Sequence, residues 1–470
     1  MKVEDNLVDT TPLNIGADRQ LFVDDFWVAE ARGAKRILHK PTPREVVIEG
    51  DRPWDRGSIS CVSFMLDDGR YRAWYRADHD PGMVLKRSGH DTAYAESRDG
   101  LYWEKPELGL FEIDGSKQNN LLWMGPGRNL VPFIDLNPDA RPDQRYKALG
   151  TDKNLYAFAS TDGIHWNMMQ DEPVMADGPF DTIPVAFWDV QREEYVAYTR
   201  GVADADPDVD PVSLKGVIGH EFKGGVRWIR RSTSKDFVNW TPLELIDTGD
   251  TPFEHLYTNA CVQYERAPGY YLIFSMRYLV HRSPDPDWTY SPGVCDVVFM
   301  SSRDGINFDR SFMEAFVTPG LDQNNWHDRG VSLHHGILQL TPEEMSMYGN
   351  ENTHLPTQRT RRYTLRTDGF VSVNAGYDGG EFTTRPMIFS GDELELNYST
   401  SAVGSVRIEV QDMDGNTLTG FGLDECPEKF GDEIEGTVSW SGGDIGSLKG
   451  KPVKLRFVLM DADVYAFRFK

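Results

Sequence analysis

The sequence predicts an all-β protein, a five-bladed β-propeller at residues 1–378 followed by a β-sandwich domain at residues 379–470. Short runs rich in Val, Tyr, Phe, Trp and Thr alternate with turns of Gly, Pro, Asp and Asn, while helical periodicity is almost absent. A tyrosine-rich strand that leads to a Ser-x-Asp-Gly-like turn and a closing aromatic residue occurs four times. The closing aromatic residues are 63, 74 and 68 residues apart, and self-similarity with four strands per unit is typical of a propeller.

Each repeat joins a second strand of a blade to the turn between its third and fourth strands. The four pairs of segments are 71–75 with 97–103, 146–148 with 160–166, 195–198 with 232–240, and 270–274 with 302–308. In such a turn the Ser and Asp side chains bond to backbone amides, Gly supplies a positive φ, and the aromatic residue fills the space between strands. We therefore interpret the turns as structural and expect them to face away from the active centre.

Five inner strands are predicted, one for each blade. They cover residues 58–66, 130–136, 183–189, 258–264 and 331–340. The fifth unit is less regular, with further strands at 361–366 and 370–373. A propeller has to seal its ring, and we expect the early strand at residues 20–27 to complete the last blade; the alternative is that Asp24 and Asp25 point into the shaft.

The pattern changes near residue 379, where a series of short alternating strands begins. These strands are predicted at 394–398, 406–410, 437–440, 453–457 and 465–467. Alternation of this kind predicts a β-sandwich of about 90 residues. Its expected role is to support the propeller, and sugar binding is the alternative.

Composition excludes several classes of function. Acidic residues number 74 against 49 basic ones, a net charge of -25 that argues against a nucleic-acid partner. No apolar run approaches the length of about 18 residues that would predict a membrane span. The cysteines Cys61, Cys261, Cys295 and Cys426 form no C-x-x-C pair, so neither a disulfide framework nor a zinc site is predicted. No ligand cluster requires a metal ion, and no cofactor is expected.

The N-terminus has neither the basic nor the apolar segment of a signal peptide, so none is predicted. Cytoplasmic and secreted locations both remain open. The sequence also leaves a homo-oligomer open.

Candidate site residues come just before the inner strands, because the leading ends of these strands converge near the axis of a propeller. Carboxylates occur there in four of the five units, as Asp55, Asp181, Glu254 and Asp328. A single aspartate before a strand is explained by ordinary turn chemistry. Carboxylates at the same place in four units are explained less well in this way, so a shared site becomes the stronger interpretation. The accompanying polar and aromatic residues are Trp54, Arg56, His255, Tyr257, Asn259, Trp326 and Arg329, with Glu351 and His354 in a polar segment of the last blade.

Converging carboxylates suit the hydrolysis of a glycosidic bond. One carboxylic acid protonates the leaving oxygen, and a second acts as base or nucleophile at the anomeric carbon. Trp54 and Trp326 offer faces for a sugar ring, while arginine, asparagine and histidine side chains offer donors to its hydroxyl groups. We therefore expect a carbohydrate substrate.

The repeat pattern and two further segments carry a resemblance to a known group of proteins. Leu21-Phe22-Val23-Asp24-Asp25 and Gly379-Gly380-Glu381 resemble bacterial glycoside-hydrolase-like five-bladed propellers, which are related in architecture to the invertase/levanase and arabinanase/xylosidase families. By position, the resemblance implies that Asp55 is the base or nucleophile, that Asp181 orients or tunes a partner, and that Glu254 is the general acid. The Asn-Asp-Pro-Asn and Arg-Asp-Pro motifs of invertase-like enzymes are absent.

Two other functions remain open from the sequence. A propeller glycoside phosphorylase uses phosphate in place of water and needs a cationic pocket. Its candidate residues are His327, Arg329, His354, Arg359, Arg361 and Arg362. A non-catalytic carbohydrate-binding propeller would keep its affinity when Asp55 or Glu254 is replaced. The segments at residues 207–220 and 284–292 are long enough to close the sides of the shaft and make it a pocket. A pocket predicts an exo-acting enzyme, and the expected substrate is a furanoside or related sugar.

Overall fold

A computed structural model describes residues 11–56, 58–78, 91–151, 153–176, 178–180, 182–204, 225–282 and 293–470. Within these ranges the regular structure consists of β-strands and three short 3-10 helices, at Pro142–Gln144, Gln323–Asn325 and Ile445–Leu448. The predicted all-β class is confirmed. No helix of the described ranges has the length and hydropathy needed to cross a membrane.

The chain divides into two compact units. The larger one contains Pro41–Leu340 and Met345–Thr364, and the smaller one contains Met1–Lys40, Thr341–Glu344 and Leu365–Lys470. The strands that precede the first blade are β1 Leu13–Gly16, β2 Gln20–Leu21, β3 Val28–Arg32, β4 Ala34–Leu38 and β5 Thr42–Glu49. Of these, β5 belongs to the larger unit.

The larger unit is a five-bladed propeller, as predicted. Blade I contains β6 Ser58–Asp67, β7 Arg70–Asp78, β8 Asp91–Ser97, β9 Trp103–Glu104 and β10 Leu121–Trp123. Blade II contains β11 Val131–Ile134, β12 Tyr146–Thr151, β13 Leu155–Ser160 and β14 Trp166–Met168. Blade III contains β15 Val185–Asp189, β16 Glu194–Asp204, β17 Gly225–Ser234 and β18 Glu244–Leu245. Each blade is an antiparallel sheet. In blades II and III the strands pair in chain order from the inside outwards, whereas in blade I both β9 and β10 pair with β8.

The inner strand is interrupted in the last two blades. Blade IV contains β19 His255–Leu256, β20 Val262–Gln263, β21 Tyr271–Leu279, β22 Val294–Ser302 and β23 Phe308–Asp309. Blade V contains β24 Val331–Leu333, β25 Leu338–Gln339, β26 Glu344–Glu351 and β27 Arg359–Arg366. The inner strands β6, β11 and β15 pack side by side, β19 packs on blade III, β24 packs on blade IV, and β25 packs on β6. The five blades therefore form a closed ring.

The strand that seals the ring is β5, which pairs with β27 as the outermost strand of blade V. The prediction that residues 20–27 do this is wrong, because Gln20 and Leu21 pair with Phe467 and Ala466 in the smaller unit. The reason is burial. Leu21 and Phe22 are adjacent and both fully buried, which requires cover on both faces. An outermost strand has one exposed side, and most residues of β5 are exposed.

Asp24 and Asp25 lie in the smaller unit and not in the propeller. The Asp24 carboxylate accepts a hydrogen bond from the backbone amide of Phe26 at 3.2 Å. This is the local turn chemistry expected of aspartate. The alternative that these two residues point into the shaft is therefore wrong.

The smaller unit is built on two long strands. Its C-terminal strands are β28 Val371–Ala375, β29 Gly380–Thr384, β30 Met387–Phe389, β31 Leu394–Gln411, β32 Asp432–Val438 and β33 Lys454–Phe469. Strands β31 and β33 pair along both of their halves, with a register shift between Thr400 and Ser405. The sheet order is β3-β29-β33-β28-β4. This unit therefore begins earlier than the predicted boundary at residue 379 and includes N-terminal strands; a two-layer sandwich stays a prediction.

The Ser-x-Asp-Gly turns have the structural geometry that the sequence predicts. In blade I the Ser97 hydroxyl accepts from the Gly100 amide at 2.9 Å, and an Asp99 oxygen accepts from the Leu101 and Tyr102 amides at 2.8 and 2.9 Å. Blades II, III and IV repeat these bonds. The glycine has φ near +74° in blade I, a conformation that costs little only without a side chain.

These turns also join neighbouring blades. The Trp74 indole donates to the carbonyl of Gly163 at 2.7 Å, and the Tyr198 hydroxyl donates to that of Gly305 at 2.6 Å. The Tyr348 hydroxyl donates to Gly100 at 2.8 Å, so blade V is bonded to blade I in the same way. At the neighbouring hairpins the carboxylates of Asp67, Asp135 and Asp189 accept from Tyr146, Tyr195 and Tyr271 of the following blade.

Antiparallel pairing places the other connections at the opposite end of the propeller. The segments that lead into β6, β11, β15, β19 and β24 all lie there, and we call it the entry end. The second strand of each blade finishes at this end and the third strand begins at it. The turn end holds the blades together by hydrogen bonds, and the entry end is where candidate site residues are expected.

The bond between blades V and I predicts a measurable loss of stability. Tyr348→Phe keeps the ring, which stacks on Phe64 at 4.2 Å, but removes the hydroxyl that satisfies the Gly100 carbonyl. We expect the free energy of unfolding to fall by about 1 kcal/mol, measured by urea denaturation. Tyr102→Phe is the matched control, because Tyr102 is 79% exposed. Equal effects of the two substitutions would contradict the role of the bond.

Two adjacent buried histidines predict a loss of stability in mild acid. Burial lowers the pKa of both His334 and His335 to about 4, whereas an unfolded histidine has a pKa of about 6.5. As the pH falls from about 6.5 to about 4, the unfolded chain binds two protons that the folded chain does not, so the free energy of unfolding decreases. Each histidine contributes at most about 1.4 kcal/mol per pH unit. Urea unfolding of the wild type and of His335→Asn across this range measures the effect, and an identical pH dependence would contradict it.

Candidate functional site

A group of charged and aromatic side chains from blades III, IV and V meets at the entry end. We call it the arginine–tyrosine cluster. Its members are Arg200, Arg227, His255, Tyr257, Tyr278, Asp328 and Arg329. Tyr257 lies at its middle.

Blade III supplies two arginines on one face of its sheet. Val202 pairs with Arg227 across β16 and β17, and Arg200 lies two residues before Val202, so Arg200 and Arg227 share a face. They are only 3% and 8% exposed. Their guanidinium carbons lie 4.2 and 5.1 Å from the centroid of the Tyr257 ring. Two buried cations are therefore held against one aromatic ring, a favourable arrangement for arginine.

Tyr257 is fixed by the segment that leads into blade IV. Its backbone amide donates to the Met276 carbonyl at 2.7 Å, and its own carbonyl accepts from Arg200 at 3.3 Å. Its hydroxyl accepts from Arg329 at 3.4 Å, and the Arg329 guanidinium carbon lies 5.9 Å from the ring centroid. Three guanidinium groups thus surround this tyrosine.

Asp328 and Arg329 come from the segment that leads into blade V. Arg329 donates to both oxygens of the buried Asp328 carboxylate, at 3.0 and 2.6 Å. Arg329 has φ of +57°, an uncommon conformation for a residue other than glycine. Burial raises the pKa of Tyr278, and the Asp328 carboxylate, to which Tyr278 donates, raises it further. His354 Nδ1 is 3.9 Å from an Asp328 oxygen.

Two histidines at this end are held neutral. His255 Nδ1 accepts from the backbone amide of Arg227 at 3.1 Å, so the proton of the neutral ring is on Nε2. Burial lowers the pKa of His255 to about 4, with Arg227 and Arg200 acting in the same direction. Burial, Arg329 and Arg76 lower the pKa of His354 to about 2. Nearby arginine side chains thus act together with burial on both rings.

The predicted catalytic carboxylate Asp55 lies in a closed ion pair. Its oxygens accept from the Arg52 amide at 2.8 Å, the Tyr75 hydroxyl at 3.0 Å and the Lys105 ammonium at 2.6 Å, and the residue is 0% exposed. Burial raises the pKa of Asp55, although Lys105 acts in the opposite direction. The Asp55 carboxylate is therefore fixed by an ion pair and two hydrogen bonds.

Glu254 has the equivalent partner in blade IV. Its carboxylate accepts from Arg310, whose side chain is fully buried, and lies 3.6 Å from Arg277. Lys105 and Arg310 each stand two positions after the closing aromatic residue of their blade, Trp103 and Phe308. The recurrence of carboxylates before the inner strands thus has a structural explanation in these two blades. Asp55 and Glu254 each bond to a cation of their own blade.

Some of the other predicted site residues belong to the cluster, and others lie elsewhere in the propeller. His255, Tyr257, Asp328 and Arg329 belong to the cluster, and His354 adjoins it. Asn259 is buried and donates to the Ile183 and Tyr198 carbonyls of blade III at 3.1 Å each. The Trp54 indole donates to Asn120 at 2.5 Å, Arg56 is exposed, and Trp326 is 38% exposed. Asp181 and the segments 207–220 and 284–292 lie outside the described residues.

The cationic residues proposed for a phosphate pocket lie in two different places. Glu351 forms ion pairs with Arg359 and Arg361 at 2.8 and 2.6 Å, and Arg362 pairs with Glu45 at 3.0 Å. His327, Arg329 and His354 lie instead around Asp328. The described ranges contain no group of three or more acidic, histidine or cysteine side chains arranged to hold a metal ion. Cys261, Cys295 and Cys426 are free and buried.

Sequence reasoning missed Arg200 and Arg227. It considered the segments before the inner strands and did not examine the second and third strands. The available signal was an arginine within a strand whose neighbours are apolar, as in Val226-Arg227-Trp228-Ile229. Because charged side chains are rarely buried without a specific reason, such an arginine is a candidate site residue.

Comparisons with known proteins were made by family model, by sequence and by fold. No family model matches the chain. An uncharacterized protein found in two strains of Mycobacterium tuberculosis is 27% identical in both; in the first strain the match spans 146 residues, which is 30% of this chain and 42% of that protein. The chain thus matches about two fifths of the length of these relatives.

Solved structures to which the chain is similar include glycoside hydrolases. A family 43 arabinoxylan arabinofuranohydrolase from Bacillus subtilis in complex with cellotetraose is 12% identical, with a TM-score of 0.43, over 90% of this chain and 97% of that one. A fructofuranosidase from Schwanniomyces occidentalis complexed with fructosylnystose is 9% identical, with a TM-score of 0.40, over 90% and 96%. An α-L-arabinanase from Penicillium chrysogenum is 11% identical, with a TM-score of 0.38, over 70% and 98%. No conclusion about activity follows at these values.

The ion pair of Glu254 predicts the effect of removing its charge. In Glu254→Gln the buried Arg310 loses its charge partner, and we expect the free energy of unfolding to fall by about 3 kcal/mol, measured by urea denaturation. Glu265→Gln is the matched control, because Glu265 is exposed in the hairpin of the same blade. A stable Glu254→Gln variant that loses only activity would instead support the general-acid role predicted from the sequence.

Proposed function

We propose that the protein is a glycoside hydrolase whose active centre is the arginine–tyrosine cluster at the entry end of the propeller. The observation that carries the proposal is the position of Asp328. This carboxylate is oriented by Arg329 and Tyr278, and it follows the partly exposed Trp326 by two residues. A fixed carboxylate next to an aromatic face suits a sugar ring, because one group supplies acid–base chemistry and the other a stacking surface.

In this proposal Asp328 acts as one of the two carboxylates that glycoside hydrolysis needs. Arg329 orients it and offers further donors to sugar hydroxyl groups. Asp181, which is predicted to orient or tune a partner carboxylate, lies outside the described residues. The acid role of Glu254 and the base role of Asp55 stay predictions from the sequence. For Glu254, the stability test above distinguishes a catalytic from a structural role.

The finer details of the reaction are also proposals. Cleavage from the end of a chain, on a furanoside or related sugar, is a proposal from the sequence, and the segments 207–220 and 284–292 on which it depends lie outside the described residues. Phosphorolysis is a second candidate reaction. It is favoured by the three guanidinium groups around Tyr257, because phosphate as the attacking group requires a cationic site.

Asp328→Asn tests the proposed active centre. Asparagine keeps the shape of the side chain but cannot act as acid or base, so we expect cleavage to fall by about 10²–10⁴-fold while the glycan still binds. The assay is a panel of aryl glycosides and plant or algal oligosaccharides, with and without phosphate. Asp250→Asn, at an exposed position, is the control.

Two outcomes would contradict the proposed function. If Asp328→Asn cleaves as fast as the wild type, Asp328 is not catalytic. If the wild type binds glycans but cleaves none of them, the propeller is a binding module. Circular dichroism of each variant excludes unfolding as the cause of a loss.

A further inference from the structure

We propose that a cavity on the rim of the propeller, between β5 of blade V and β9 of blade I, binds a neutral glycan. We call it the rim cavity. Its volume is about 720 Å³, which lies in the range of about 300–1,000 Å³ typical of small-molecule sites. None of its described lining residues belongs to the arginine–tyrosine cluster. The rim cavity is therefore a second carbohydrate site, and it does not depend on cleavage of the glycan.

The closure of the propeller ring creates this cavity. Strand β5 supplies residues 46–49 as one wall, and residues 103–106 of blade I supply the other. Asp51 and Arg52, in the segment that joins β5 to blade I, complete the lining. All of these residues belong to the larger unit. Because β5 comes just before blade I in the chain but pairs at the edge of blade V, it forms one side of a gap whose other side is blade I.

Lys105 fixes the two walls relative to each other. Its ammonium group donates to the Glu49 carbonyl at 2.6 Å, to the Asp51 carboxylate at 2.7 Å and to the Asp55 carboxylate at 2.6 Å. Only 8% of the Lys105 side chain is exposed. These bonds join blade I to the end of β5, so the walls are held in place before a ligand binds. A preformed site spends little binding free energy on ordering its own side chains.

Two carboxylates of the rim cavity take no part in holding the fold. Glu49 and Glu104 are exposed, and neither side chain makes an ion pair or a hydrogen bond within the described part of the chain. Carboxylate oxygens accept hydrogen bonds from hydroxyl groups. The Arg52 side chain is 49% exposed and supplies N–H donors. The cavity therefore offers both acceptors and donors to the hydroxyl groups of a sugar.

The rest of the lining is largely apolar. Val46 and Trp103 are partly buried, and Pro106 adjoins them in the wall. The Trp103 indole donates to the Gly100 carbonyl at 3.1 Å, so the single polar atom of the ring is already satisfied. Aromatic and aliphatic surface of this kind packs against the C–H face of a sugar ring. Apolar walls with carboxylates and a guanidinium group beside them match a sugar, which has C–H faces and hydroxyl groups at its edge.

The charges of the rim cavity disfavour an anionic ligand. The described lining has three carboxylates, Glu49, Asp51 and Glu104, and two cations, Arg52 and Lys105. Lys105 already forms ion pairs with two carboxylates, at 2.7 and 2.6 Å. An acidic sugar or a phosphate would bring further negative charge next to these carboxylates, and like charges repel. The glycan that fits is therefore neutral.

A peptide strand added to the edge of β5 is disfavoured as well. Pro43 has no amide hydrogen to donate, and Arg44 and Glu45 are exposed charged residues. Proline and charged side chains are the features that protect an edge strand from pairing with another chain. The occupant is therefore a ligand that binds through side chains and not a further β-strand.

Affinity gel electrophoresis of the full chain tests the rim cavity. The probes are soluble arabinoxylan, inulin and laminarin, each cast into a native gel, with a gel that contains no polysaccharide as the blank. We expect at least one polysaccharide to retard the wild type. We expect the double variant Glu49→Ala/Glu104→Ala to bind it at least tenfold more weakly, because hydrogen bonds to two charged groups are lost. Urea denaturation should show unchanged stability, since neither side chain has a partner in the described part of the fold.

The double variant Glu107→Ala/Glu244→Ala is the matched control. Both glutamates are exposed and neither lines the cavity, so this variant has the same net charge as the test variant. We expect the polysaccharide to retard it as much as the wild type. Equal weakening in the two double variants, or no retardation of the wild type by any of the three polysaccharides, would overturn the inference.

Cleavage assays separate this inference from the proposed function. Glu49→Ala/Glu104→Ala should cleave small aryl glycosides at the wild-type rate, because both residues lie outside the arginine–tyrosine cluster. Asp328→Asn should be retarded by the polysaccharide as the wild type is. Retardation of a protein that cleaves no glycan would support the rim cavity while contradicting the proposed hydrolase. Loss of aryl glycoside cleavage in Glu49→Ala/Glu104→Ala would overturn the inference, since the cavity would then not be a separate site.

Discussion

The propeller depends on hydrogen bonds that pass from an aromatic side chain of one blade to a turn carbonyl of the next. Trp74, Tyr198 and Tyr348 reach the glycines of the Ser-x-Asp-Gly turns, and Asp–Tyr pairs support the neighbouring hairpins. These bonds are buried, and each one satisfies a carbonyl group whose burial without a hydrogen bond would cost free energy. They also fix the angle between adjacent blades at one end of the ring, and β5 closes the ring at its edge.

Because the blades are joined at the turn end, the entry end can hold groups that do not stabilise the fold. Arg200, Arg227 and Arg329 are brought around one tyrosine, and two histidines are kept neutral beside them. A cluster of buried charged side chains at this end is a candidate functional site.

The repeat also explains why carboxylates recur before the inner strands. In blades I and IV these carboxylates bond to a cation two positions beyond the closing aromatic residue, Asp55 to Lys105 and Glu254 to Arg310. Repetition in sequence favours features that every blade needs, whereas a catalytic centre needs different groups from different blades. Asp328 has such a place, because its partners come from its own segment and from blade IV.

The sequence alone determined the all-β class, the five inner strands, the structural turns and the end of the propeller at which polar residues meet. These follow from patterns within a few residues of each other, such as strand alternation and the Ser and Asp side chains that bond to nearby amides. Tertiary structure decided which strand closes the ring, where the smaller unit begins, and which charges become partners. Residues 20–27 and 42–49 both have strand patterns, and only burial on one or two faces separates them. Arg200 and Arg227 meet Tyr257 from another blade, and such a contact depends on how two sheets pack, because no local pattern specifies the partner of a side chain that crosses between them.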